Sequence, residues 1–335
     1  MLAFAPSGGR GSCRAKVPHE DILSSFPSSS LGTDNREAPA SLNCDRWLRS
    51  KAAGTGITKL ELGNEGNQSM FVNALATLVV CLGPVLAAEP TPISPDKTIP
   101  LFNGKDLDHF TPWLKETKEN DTNRVFRVTD EMIHVTGEGF GYIATKQAYR
   151  DYRLTLEYKW GKKTDGGKYV RNSGVLLHGT GPDGAAGGVW MASIECQLAQ
   201  GCNGDLICIR GKDAAGTVIP VQITSDTILG PDKRPRWSPG GEKKVFTGRQ
   251  LWWNKHDPDF QELLDTRGKN DVESPLGEWT NVELLCRGAK IQVKINEQLV
   301  NEAYEVFPAA GKILLQSEGF EIYFRKVEIH PLPAE

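Results

Sequence analysis

From about residue 100 onward, apolar and polar residues alternate with a period of two. In Leu154-Thr155-Leu156-Glu157-Tyr158-Lys159-Trp160 the apolar side chains take the even positions, and Thr155, Glu157 and Lys159 share the other face. In Ser193-Ile194-Glu195-Cys196-Gln197-Leu198 the apolar set is Ile194, Cys196 and Leu198, opposite Ser193, Glu195 and Gln197. This spacing predicts strands, because successive side chains of extended backbone point to opposite sides. By the same count, His178 in Gly174-Val175-Leu176-Leu177-His178 joins Gly174 and Leu176, away from Val175 and Leu177. Further strand-like runs lie at 125–128, 132–136 and 206–210. A second set follows at 281–286, 290–295, 298–302, 311–316 and 321–329. Turn residues separate nearly all of them, and helical spacing is confined to a short stretch at 260–266. Many short strands joined by turns predict an all-β sandwich or barrel.

The region before residue 100 reads differently. Residues 1–69 are rich in Ser, Gly, Pro and Asn without sustained periodicity. An apolar run begins at Met70 and ends Val85-Leu86-Ala87, with small or apolar residues where a signal peptidase would cut. We read 70–87 as a signal peptide, although it lacks a basic residue before its apolar core. Gly83 and Pro84 interrupt the run and argue against a membrane-spanning helix. Residues 1–69 are then an over-extended gene start, the alternative being a disordered tail. Residues 88–100, with four prolines, read as an extended linker, and 101–335 as one domain. The expected location is secreted or periplasmic, with no integral membrane span in the mature chain.

Composition adds exclusions. A net charge of −3 with 24% charged residues gives no basic stripe for nucleic acid. No P-loop, dinucleotide fingerprint, H-E-x-x-H or G-x-S-x-G is present. Four of the seven cysteines follow residue 100, at 196, 202, 208 and 286, in no zinc-ligand spacing. If 193–199 and 206–210 form a hairpin centred on Cys202, Cys196 and Cys208 face each other. Either a cross-strand disulfide or two buried thiols would suit that pairing.

Several segments in order carry a resemblance. They are Leu101-Phe102-Asn103-Gly104-Lys105-Asp106-Leu107, Asn172-Ser173-Gly174, Ile194-Glu195-Cys196-Gln197-Leu198 and Gly277-Glu278-Trp279-Thr280. Gly311-Lys312-Ile313-Leu314-Leu315-Gln316 and Phe324-Arg325-Lys326-Val327 complete the set. Together they resemble the 3-keto-disaccharide hydrolase family across residues 99–332, with Lys326 in place of the family's usual Asn. The resemblance implies a concanavalin A-like two-sheet jelly roll whose concave face binds sugar. It also implies cleavage of glycosides already oxidised to a ketone at C3, by elimination and hydration, so the expected partner is a small oxidised sugar or glycoside.

Such chemistry needs a base, an acid and an electrophile for the developing oxyanion. His178, Glu195 and Glu157 are the candidate catalytic residues. Asn172 and Gln197 suit hydroxyl recognition, Lys159 an oxyanion, and Trp190 an apolar sugar platform. The cofactor is left open, the electrophile being a hydrogen-bond donor, a lysine or a divalent metal ion. Asp205 reads as a turn residue. Two other readings of the same fold stand beside this one: a glucanase-like glycosidase with paired carboxylates, and a non-catalytic sugar-binding module.

Overall fold

The computed structural model describes residues 91–333, and the expectations for 1–69 and 70–87 lie outside them. Strands β1 (Ile99–Pro100), β2 (Phe110–Leu114), β3 (Phe126–Thr129), β4 (Met132–Val135), β5 (Phe140–Thr145) and β6 (Tyr152–Trp160) open the fold. β7 (Gly174–Thr180), β8 (Ala192–Gln197), β9 (Leu206–Ile209), β10 (Gln222–Leu229), β11 (Pro235–Trp237) and β12 (Glu242–Phe246) follow. β13 (Gln250–Leu251), β14 (Thr280–Arg287), β15 (Lys290–Ile295), β16 (Gln298–Phe307), β17 (Lys312–Glu318) and β18 (Ile322–Pro331) complete it.

The strands form two antiparallel sheets, one of eleven strands and one of seven, stacked as a jelly-roll sandwich. The seven-stranded sheet runs β13-β9-β8-β7-β17-β5-β2. In the larger sheet β6 lies between β14 and β18, and its burial alternates along its whole length. Tyr152, Leu154, Leu156, Tyr158 and Trp160 enter the core, where they meet Val175, Leu177, Ile194, Cys196 and Leu315 of the smaller sheet. Burying such side chains contributes about 1.5–3 kcal/mol each, which fixes both registers, since a one-residue slip would turn every apolar chain outward.

β7 and β8 are buried on both faces, unlike β6. Their second face carries a smaller apolar cluster of Tyr142, Ala144, Leu176, Val189, Trp190, Met191 and Leu314. The seven-stranded sheet is therefore roofed by its own loops, and its polar side chains are enclosed rather than solvated.

Three expectations are corrected here. Residues 260–266 form turns, not a helix, because Gln261 and Leu263 carbonyls are taken by the Thr266 hydroxyl rather than by a helical ladder. Cys196 pairs with Leu206, and Cys208 with Ile194. The hairpin centre is thus one residue earlier than symmetry about Cys202 implies, and all four cysteines described are buried free thiols. Residues 91–100 lie against the domain instead of hanging free: Ile93 bridges Tyr149, Pro95 is buried, and β1 pairs with β18.

Candidate active site

Cross-strand registers lay out the second face of the seven-stranded sheet. Gln197 stands opposite Gly174, and Glu195 opposite Leu176. Leu176 stands opposite Leu314, which sets Gln316 beside Gly174. Gln316 and Glu318 then face Tyr142 and Phe140 of β5. Gly174 is therefore a gap in a row of side chains, and Glu195 and Gln316 lean over it. A Cβ placed there would lie 2.5 Å from Glu195 Oε1 and 2.5 Å from Gln316 Oε1. Only glycine leaves the space in which those two groups meet.

Asn172, just before β7, donates from Nδ2 to Glu318 Oε2 at 2.6 Å. The segment carrying it is held firmly. Ser173 Oγ donates to the Gln316 carbonyl, Arg171 pairs with Asp265 at 2.7 Å, and Gln200 Oε1 accepts from the Arg171 and Asp265 amides. The β8–β9 turn is fixed by Asp205, whose buried carboxylate accepts from Trp253 N and Gln250 Nε2. Asp205 is thus a turn residue with an anchoring role.

Burial pushes the Glu195 carboxyl well above the usual carboxylate range, and the neighbouring Glu318 charge adds to the effect. Burial raises Glu318 as well, against the opposing hydrogen bond from Asn172. Two carboxyls whose charges disfavour one another resist ionising together, and both favour the protonated form more than a free glutamate does. Around them, Asn172 Oδ1, Gln197 Oε1 and Gln316 Oε1 are buried acceptors with no partner in the protein. Unmet buried acceptors cost about 1–3 kcal/mol each, and hydroxyl donors of a ligand would relieve that cost.

Of the residues expected from sequence, Glu195, Gln197 and Asn172 are brought together. Trp190 reaches the same face but packs into the apolar cluster beside it. Glu157 and Lys159 do not reach the basin, because they sit on the outward face of the other sheet. There Glu157 accepts from Arg325 and Lys326, and the Lys159 ammonium lies 4.8 Å from the Trp279 ring centroid.

His178 is also misplaced by the alternation. A bulge between Leu177 and Thr180 breaks the β7 register, and His178 takes a left-handed φ of 56°. Its ring is turned to the core side, edge-on to Tyr152 of the opposite sheet, with Nδ1 2.8 Å from the Pro308 carbonyl. It is 0% exposed, and burial lowers its pKa to about 4. The structure adds Gln316 and Glu318 to the site residues expected from sequence. The signal was available: in Lys312-Ile313-Leu314-Leu315-Gln316-Ser317-Glu318 they follow Leu314 in register.

Among the described residues no group of three or more His, Cys, Asp or Glu is arranged to hold a metal ion.

The sequence profile of the 3-keto-alpha-glucoside-1,2-lyase-like domain matches residues 97–330. The chain belongs to this family. Membership places it among carbohydrate-active proteins, and the matched span takes in every strand of the basin. No curated protein sequence matches the chain. Among solved structures, a candidate glycosyl hydrolase from Parabacteroides distasonis aligns with 18% identity and a TM-score of 0.41, covering 71% of this chain and 94% of that one. The carbohydrate-binding module CBM66 from Bacillus subtilis aligns with 10% identity and a TM-score of 0.37, covering 66% and 94%. The Bacillus licheniformis beta-glucanase aligns with 10% identity and a TM-score of 0.30, covering 64% and 84%. Among the described residues no helix is long and apolar enough to cross a membrane.

Proposed function

We propose that this protein is an exported enzyme that cleaves 3-keto-glycosides by elimination and hydration, with Glu195 and Glu318 as its acid–base pair. The observation that carries the reading is the two carboxyls on one sheet face, Glu195 over Gly174 and Glu318 beside Asn172, among unpartnered amide acceptors. Membership of a family described as 3-keto-alpha-glucoside-1,2-lyase-like supports this choice of substrate class.

A ketone at C3 acidifies the C2 hydrogen, because the resulting anion delocalises onto the ketone oxygen. The ionised carboxyl of the pair takes that proton. The C1–O bond breaks, a C1–C2 double bond forms, and the protonated carboxyl delivers its proton to the departing oxygen. Each carboxyl then holds the form its partner began with. In hydration the newly ionised carboxyl takes a proton from water as its oxygen bonds to C1, and the other returns a proton to C2. The net change is hydrolysis, and both groups recover their starting states. The side-chain amides of Gln197, Gln316 and Asn172 hold hydroxyl groups and leave the pair its geometry. No step here is routed through a metal ion.

The test is to give the purified protein a 3-keto-glucoside and its unoxidised parent, each with and without a chelator. The expected result is aglycone release from the keto form alone. Cleavage of the parent alone would point to a paired-carboxylate glycosidase, and binding without turnover to a sugar-binding module. Chelator sensitivity would add a metal to the mechanism.

A further inference from the structure

The loop at 181–191 packs on the same sheet face as the basin, and it is anchored by a contact that the chemistry above does not use. Tyr142 of β5 is 0% exposed, and a buried phenol needs a hydrogen-bond partner. Its hydroxyl donates to Asp183 Oδ1 at 2.6 Å, the length of a charge-assisted bond. The Gly184 amide donates to the same hydroxyl oxygen. Further along the loop, the Gly188 carbonyl accepts from Trp113 Nε1 of β2. Val189, Trp190 and Met191 then share one apolar cluster with Tyr142, Leu176 and Leu314.

The anchored ring borders the carboxyl pair. Tyr142 stands opposite Gln316 of β17, and directly opposed side chains have Cβ atoms about 4.5–5.5 Å apart. Gln316 is buried between that ring and the gap at Gly174. Its side-chain amide donates to the Glu195 carboxyl, and its Oε1 is left without a partner. A ring fixed at its far end by Asp183 stops Gln316 from folding back over β5. Glu318, also on β17, is the charged group that acts on Glu195. The cross-strand neighbours of Glu195, Leu176 of β7 and Ile207 of β9, bring no charge.

We infer that Asp183 is a positioning residue: by holding the Tyr142 hydroxyl, it keeps the Gln316 amide on the Glu195 carboxyl. The inference rests on the reading of Glu195 as one of the acid–base pair.

The test compares Asp183→Ala, Asp183→Asn and Tyr142→Phe with wild type in kcat/KM for a 3-keto-glucoside across pH. A hydrogen bond donated to a carboxylate favours its ionised form, so losing it makes Glu195 harder to ionise. Asp183→Ala and Tyr142→Phe should lower kcat/KM about tenfold and move one limb of the profile at least about 0.5 pH unit upward. That limb is the acidic one if Glu195 is the base and the basic one if it is the acid. Asp183→Asn keeps an acceptor for the hydroxyl and should restore both rate and profile. A loss that is uniform across pH, or no loss, would overturn the inference, since a role in stability alone leaves both limbs in place. A second arm needs no turnover. In full-length protein isotope-labelled at the glutamate carboxyl carbons, the Glu195 NMR signal is the one missing from Glu195→Gln. Its titration midpoint should rise in Asp183→Ala and Tyr142→Phe. If it does so while no 3-keto-glucoside is cleaved, the acid–base reading fails and the positioning stands. An unchanged midpoint overturns the positioning, whatever the turnover.

Discussion

At the scale of single residues, what separates a functional group from a structural one is the side of the sheet it faces. Glu195 and Glu318 lean into the basin, and each proton step of the proposed mechanism needs one of them. Glu195→Gln and Glu318→Gln should each lower turnover by at least about 100-fold, measured on a 3-keto-glucoside. The same variants carry a stability signature. Both carboxyls titrate higher in the fold than in the unfolded chain, so their contribution is intact below about pH 4.5 and lost as pH rises through the folded values. Relative to wild type, each variant should therefore gain in Tm at pH 8 and show no such gain at pH 4. His178 gives the opposite contrast. Its left-handed backbone suits Asn, so His178→Asn should keep turnover within about threefold while lowering Tm, as packing against Tyr152 is lost. A collapse of turnover with Tm unchanged would return His178 to the mechanism.

At the scale of elements, strand alternation fixes which residues share a face, but not which face meets which cavity. β6 and β8 both turn the apolar sets read from sequence into the core, yet Glu157 on β6 and Glu195 on β8 end on different sheets, facing away from one another. Glu157 is partly solvated and paired with Arg325 and Lys326, and surface pairs of this kind contribute about 0–1 kcal/mol. Glu157→Ala should therefore leave turnover within about twofold of wild type and cost no more than about 1 kcal/mol by denaturant unfolding, less in high salt. In β7 the alternation itself fails, because the bulge after Leu177 inserts residues that the partner strand does not match. β2 and β5 are among the strands that the sequence pattern does not predict. Gly141 lies where a Cβ would strike the Trp113 carbonyl, and this close approach of backbones leaves no period-two signature.

At the scale of the whole molecule, the buried titratable groups act on stability with opposite pH dependence. His178 and His256 are both held down to about 4 by burial. The stability they contribute is present above about pH 6.5 and lost as pH falls toward 4. Glu273, raised to about 7, and Asp205, raised to about 8, are lifted chiefly by burial, and their contribution fades as pH rises through those values. Tm should therefore fall between about pH 5 and 8 as the buried acids ionise, with the histidines offsetting part of that fall below about pH 6.5, which thermal unfolding from pH 4 to 9 would measure. A monotonic rise to pH 9 would contradict the buried acids. The sequence by itself determined the all-β class, most strand positions, the family, and three basin residues, Asn172, Glu195 and Gln197. Those follow from local physics: the period of extended backbone, turn chemistry, and short motifs in order. Only the tertiary structure decided that Glu318 and Gln316 join Glu195, that Glu157 and Lys159 lie on the other sheet, and that His178 turns inward. These depend on strand order, cross-strand register and one bulge, which arise from contacts between residues far apart in the chain.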